Sequence, residues 1–454
     1  MSALTQNVFT TPTSEAIFSA STELKSMLTF ESALAQVQAE LGLIPVSAAR
    51  VISEVCQQTD WDQERIQAHT LLAGNPAIPL VKALMQRVQQ LDPEAAKYVH
   101  WGATSQDVID TAFMLQAKAA LADLISAATQ LEASLAKLAQ QHRQTLMIGR
   151  TLLQQARPIT FGYKVAGWLA QLSRSVQKIR ILQQDGLPLQ LGGAVGTLVA
   201  MPQQGIAVTH QLAIRLGLSQ LPMPWHTQRD PVAELATSLG ILNGTLGKIA
   251  NDCILLMQTE VGEVYEGAAE GKGGSSAMPH KRNPVSSTFM VAIAHRTPAL
   301  VSTVLSAMVQ QHERAAGNWH IEWEVMRELF KLSAANLRHA NDLIGGLEVD
   351  TSRMQQNIEL TKGLIFAEDV TNALAPIIGK SQAQQWIEQA CKQALLQQVS
   401  LLAYLKTHTE VPQYLSGAAL ENIFDPLNAI GLSEGFIDEV LKNYNNNLPQ
   451  YTVK

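Results

Sequence analysis

Apolar positions recur at alternating spacings of three and four over long stretches from residue 112 onward, which is the period of one face of an α-helix. Leu121, Ile125, Ala128, Leu131, Leu135 and Leu138 predict one long amphipathic helix. Val165, Leu169, Leu172, Val176 and Ile179 predict a second. Leu235, Leu239, Leu242, Leu246, Ile249, Cys253 and Leu256 predict a third, entered by Asp230 as N-cap and Pro231 at the first helical position. A fourth and a fifth follow Pro284 and Trp319. Alternating β-branched runs bounded by hairpin turns are almost absent, so the pattern is all-α. At about 1.5 Å per residue, helices of roughly 30 residues span about 45 Å, which makes the middle of the chain an elongated bundle of near-parallel helices.

Helix-breaking residues punctuate the two ends. Residues 1–108 are interrupted at Gly42, Pro45, Gly74, Pro76 and Pro79 and read as an N-terminal helical domain; 109–348 read as the central long-helix bundle. After Gly345-Gly346 the pattern shortens again, with breaks at Pro376, Gly379, Pro412, Gly417 and Pro426, so 349–454 read as a C-terminal helical domain. The apolar stripe of the third helix is longer than one partner helix needs, which points to a homo-oligomer; the alternative is a monomer whose own helices cover the whole stripe.

Composition narrows the class. With 454 residues, 46% hydrophobic and 5% aromatic, the chain can bury a sizeable core and is not a disordered one. Thirty-three basic against thirty-nine acidic side chains leave a net charge of −6, which argues against nucleic acid or an anionic membrane as partner. The absence of an uninterrupted apolar run of about 18 residues and of a basic, apolar leader gives a cytoplasmic expectation. Cys56, Cys253 and Cys391 are too few and too scattered for a disulfide framework or a zinc site, and read as reduced core residues. His312-Glu313 lacks the second histidine of HExxH, and no other clustered ligand set suggests a metal.

The chemistry concentrates between two long helical patterns, in Gly271-Lys272-Gly273-Gly274-Ser275-Ser276-Ala277-Met278-Pro279-His280-Lys281-Arg282-Asn283-Pro284. Glycines supply backbone freedom there, beside a concentration of cationic and hydrogen-bonding side chains, as an anion-binding lid requires. A P-loop is excluded because Lys272 is followed by Gly273 and no strand precedes it. From Gly274 to Pro284 the segment resembles the signature loop of the fumarase/aspartase superfamily. Two further superfamily regions occur in the expected order, Thr104-Ser105-Gln106-Asp107 and Gly149-Arg150-Thr151. The resemblance covers essentially the whole chain. It implies a bundle of long helices flanked by two smaller helical domains, and a homotetramer whose active sites are shared between subunits.

Thr104 and Asp107 form a T-x-x-D capping box at a helix start, where free N–H groups and the helix dipole favour an anion. With the resemblance, Thr104, Ser105 and Gln106 become substrate-binding candidates, and Asp107 a structural cap. The lyases typically read Gly-Arg-Thr-His in the second region; this chain has Leu152 in place of the histidine, followed by Leu153 and Gln154. Amine and water leave poorly without protonation, whereas a carboxylate departs unaided, so losing the histidine suits a reaction of carboxylate with alkene. The segments Trp225 to Pro231 and His312 to Trp323 resemble the 3-carboxy-cis,cis-muconate cycloisomerase branch, which acts on a small tricarboxylate without metal or organic cofactor. On that resemblance Ser275 carries the carbon proton, Lys281 and Asn283 bind the carboxylate where charge develops, and Gln154 contacts substrate. Arg150 reads as the anchor of a helix end; His226, His280, Arg282 and Arg314 stay open. Adenylosuccinate lyase or another β-eliminating lyase, and a non-catalytic crystallin-like homologue, are the rival readings.

Overall fold

The structure, a computed structural model, describes residues 4–267, 273, 278 and 280–447. Five long helices dominate: α1 (Ser105–Gln141), α2 (Phe161–Asp185), α3 (Asp230–Met257), α4 (Val285–Ala307) and α5 (Asn318–Gly345). Each expected long helix is present; the third opens with Asp230 as its first residue and Pro231 as its second, and Ala233 N–H donates to the Arg229 carbonyl, so the cap is Arg229, one residue before the expected Asp230. The strands among the described residues are short: a hairpin of β1 (Leu146–Thr151) and β2 (Gln154–Thr160), and a two-residue antiparallel pair of β3 (Val264–Tyr265) and β4 (Glu348–Val349). The fold is all-α in the sense expected.

The chain folds into two compact units. The first comprises 1–129, 174–247 and 289–339; the second 130–173, 248–288 and 340–454. All five long helices contribute residues to both. In the first unit α3 and α4 approach closely because Gly240 and Gly247, one heptad apart, face Val301 and Ala294; a Cβ at either glycine would collide with its neighbour. A buried polar ladder fixes the register of α3 against α5. Asn243 Nδ2 donates to Ser333 Oγ, and Asn336 Nδ2 donates to Asn243 Oδ1, each at 2.8 Å. The second unit has its own apolar core, in which Val370, Leu374, Ile387, Leu401, Leu405 and Leu420 are buried.

The stripe on α3 from Leu235 to Leu256 is at most 4% exposed within the single chain. The chain's own helices cover it, so that stripe gives no ground for an oligomer.

Candidate functional site

The first group of candidates sits where α1 begins. Thr104 precedes the helix and Ser105 opens it, both half-buried. The carboxylate half of the expected capping box forms, with Thr104 N–H donating to Asp107 Oδ2 at 3.0 Å. The Thr104 hydroxyl is engaged differently and accepts from Arg314 Nη1 at 3.1 Å. Asp107 is fully buried and accepts also from Gly192 N–H at 3.0 Å, Gly193 N–H at 2.9 Å and His226 Nε2 at 2.7 Å. It therefore ties the helix start to two distant segments, as a structural cap does. A Cβ on Gly192 would lie 2.7 Å from Pro224 Cβ, so only glycine permits this approach. Gln106 faces inward: its amide nitrogen donates to Asp110 Oδ2 at 3.1 Å and to the His226 carbonyl at 2.8 Å. Contact with a substrate through that nitrogen would require Gln106 to leave both.

Behind this helix start lies a charge cluster that sequence reasoning missed. Arg229 is 3% exposed and its guanidinium meets Asp110 at 2.8 and 3.1 Å and Glu322 at 2.5 and 3.0 Å. Trp319 Nε1 donates to Asp110 Oδ1 at 2.9 Å, and Arg229 stands 4.6 Å from the Trp225 ring centroid. Burial works against the Arg229 charge, but the two carboxylates outweigh it and drive its pKa further up. Burial pushes the Glu322 carboxyl above its usual range against the pull of Arg229. The partners of Arg229 are 119 and 93 residues away in the chain, beyond any spacing rule. Trp319 and Trp323 also pack edge to face at 5.0 Å on their shared helix. Four residues before Thr104, His100 Nδ1 lies 2.6 Å from Glu31. Burial alone would lower the His100 pKa; the Glu31 carboxylate more than reverses that and raises it.

The second unit holds the other candidates. The β1–β2 hairpin pairs Thr151 with Gln154, leaving Leu152 and Leu153 as a two-residue turn with φ of 49° and 63°. Both positive values are those of a type I′ turn, which ordinarily takes Asn-Gly. Leu152 is 97% exposed and Gln154, beside it, is also exposed. The hairpin is pinned from below: Arg150 meets both oxygens of the fully buried Glu263 at 2.9 and 2.7 Å, and Asn357 donates to the same carboxylate at 2.7 Å. Arg150 thus anchors a hairpin rather than the expected helix end.

In the signature loop, Lys281 is exposed and Asn283 half-buried. Between them Arg282 is held by Glu348 and the Glu266 carbonyl. Ser275 lies outside the described residues, as does Ser276. The glutamates that brace this loop, Glu266 and Glu348, carried no sequence signal. Among the described residues no group of three or more His, Cys, Asp or Glu side chains could hold a metal ion.

Comparison with known proteins accords with this layout. A family model described as lyase matches residues 7–298, and one described as adenylosuccinate lyase C-terminus matches 363–440. A 3-carboxy-cis,cis-muconate cycloisomerase of Pseudomonas aeruginosa is 46% identical over 94% of each chain. One of Bradyrhizobium diazoefficiens is 46% identical over 92% of this chain and 93% of its own. The crystal structure of a 3-carboxy-cis,cis-muconate lactonizing enzyme from Pseudomonas putida matches with a TM-score of 0.92 and 40% identity, covering 98% of this chain and 99% of that one. With the long-helix bundle, the three motif regions in order and matches of this extent, the chain belongs to the lyase family of the fumarase/aspartase superfamily.

Proposed function

We propose that this chain is a cycloisomerase that closes 3-carboxy-cis,cis-muconate to 4-carboxymuconolactone in protocatechuate breakdown. Relatives of that activity match at 46% identity along almost the whole chain, and this is the observation that carries the reading. The hairpin tip is consistent with it, because Leu152 and Leu153 offer no ionisable group where the lyases place a histidine.

The reaction is an isomerisation, balanced without oxidant or reductant. One carboxylate oxygen forms a C–O bond to an alkene carbon, and the displaced π electrons move onto the neighbouring carbon and its carboxylate as an enolate-like aci form. A proton then reaches that carbon. Lys281 and Asn283 stabilise the developing charge, Thr104, Ser105 and Gln154 bind the substrate's other carboxylates, and Ser275 carries the proton. Gln106, committed to Asp110 and His226, serves the site by holding the start of α1. The active unit is a cytoplasmic homotetramer with sites shared between subunits. Its support is α4, which has the length and apolar composition of a membrane span yet has only 22% of its most apolar stretch buried within the chain. His295, Arg296 and Pro298 interrupt its apolar run while the helix continues through them, which suits a protein-covered surface rather than a lipid-facing one.

The match of 363–440 to the adenylosuccinate lyase C-terminus keeps a second substrate in play. Ultraviolet absorbance on mixing the protein with 3-carboxymuconate and, separately, with adenylosuccinate tests both. Rapid loss of the muconate diene with no change in adenylosuccinate is expected; the reverse result would assign the chain to the β-eliminating lyases.

A further inference from the structure

We infer that Arg282 is a positioning residue, the clamp that aims Lys281 and Asn283. The inference rests on the reading of those two side chains as carboxylate-binding groups. Arg282 meets both oxygens of Glu348 at 2.9 and 2.8 Å, donates to the carbonyl of Glu266 at 2.6 Å, and stands 4.9 Å from the ring centroid of Tyr265. Tyr265 and Glu348 are cross-strand partners in the β3–β4 pair, so the guanidinium lies across one rung of that ladder.

The neighbouring residues make this base rigid. The buried Glu266 carboxylate accepts from Ser286 N–H at 3.0 Å, Ser287 N–H at 2.8 Å and Ser287 Oγ at 2.8 Å, which caps α4. Gly267 packs so tightly on Gly346 that a Cβ would lie 2.6 Å from the Gly346 carbonyl oxygen. Asn283 N–H donates to the Gly273 carbonyl at 2.9 Å. The segments 265–267 and 282–287 are therefore held to each other and to β4. Lys281 N–H donates to the Met278 carbonyl and Val285 N–H to the Asn283 carbonyl, each at 3.0 Å, so turns fix the backbone on both sides of Arg282. With Arg282 held on the β3–β4 pair, the backbone that carries Lys281 and Asn283 on either side of it is held as well.

Energetics separate this role from a structural one. The Arg282 and Glu348 side chains are 37% and 50% exposed, and an ion pair so open to water adds little to global stability. Two-pronged geometry, a carbonyl contact and an aromatic face instead fix direction, which a lysine in the same place cannot reproduce.

The test uses the full-length protein with Arg282→Ala, Glu348→Gln, the double variant, Arg282→Lys and Lys281→Ala. Each clamp variant should keep its melting temperature and lose about 10- to 100-fold in kcat, the order that a misplacement near 1 Å costs, with a smaller change in KM. The double variant should lose no more than Arg282→Ala alone, and Arg282→Lys should recover only part. Hydrogen exchange supplies a readout independent of turnover: the Asn283 amide should exchange at least about tenfold faster in Arg282→Ala. Wild-type kcat in Arg282→Ala beside an impaired Lys281→Ala overturns the clamp alone, as does unchanged exchange at Asn283. Wild-type turnover in Lys281→Ala overturns the reading of the site and the clamp's purpose with it.

Discussion

A carboxylate offers about four lone-pair sites, and Asp107 has four donors on its two oxygens, so it has none to spare for a substrate. The sequence window Thr104 to Asp107 suggested its capping role, but could not show that Gly192, Gly193 and His226 complete the shell. Nor could it show that Gln106, on the same turn, faces the interior. Such features depend on which distant residues meet, and only local periodicity is legible in a chain read end to end. His100 gives a prediction at this scale. Its pKa is raised in the folded state by Glu31 against the opposing effect of burial, so the pair's stabilising contribution is fully present below the unfolded histidine value of about 6.5 and is lost as pH rises through the higher folded value. Urea unfolding of the wild type and His100→Gln at pH 5.5 and pH 9 measures this. The variant should be less stable at the lower pH, and the difference should shrink at the higher; a difference that grew with pH would mean that Glu31 does not hold His100 charged.

Among the elements, the five long helices were readable because a 3.6-residue period repeated over six or more turns leaves little ambiguity. The β1–β2 hairpin was not. Its strands are six and seven residues long, a bulge in β2 opposite Gly149 breaks the register, and Leu152-Leu153 is among the least turn-like dipeptides. Left-handed backbone at each leucine costs roughly 1–2 kcal/mol, and the buried Arg150–Glu263 pair helps to hold the strands that impose it. If the tip serves only to turn the chain, replacing Leu152-Leu153 by Asn-Gly should be harmless, because that pair favours the same turn. We expect otherwise: an equal or higher melting temperature, but cycloisomerase kcat/KM lower by roughly 10- to 100-fold, the loss matching about 1.5–3 kcal/mol for one leucine buried against its target. Calorimetry and steady-state turnover on the same preparation check both halves, and undiminished kcat/KM would reduce the tip to a connector.

For the whole molecule, sequence breaks and spatial proximity divide the chain differently. Breaks separate segments by helix length, at about residues 108 and 348, whereas folding gathers stretches from three parts of the chain into each unit. The difference follows from helices such as α1, whose 37 residues contribute to both units. Thr104 belongs to the first unit, and Gln154 and Lys281 to the second. On α4 the single chain buries Met290, Ile293 and Val304, whereas Leu305 on it and Val309 just beyond it are 44% and 76% exposed. A tetramer that buries them and shares its sites makes a quantitative prediction about mixtures. Thr104→Ala and Ser275→Ala chains, each inactive alone, should recover activity after dissociation and reassembly together. A site taking the Thr104 region from one subunit and the Ser275 region from another is intact in about a quarter of random equal assemblies, each region being wild type half the time. Turnover near that fraction of wild type, rising from the background of either parent, is the expected result. If native mass spectrometry shows mixed tetramers and activity stays at the parental level, both regions of a site come from the same chain.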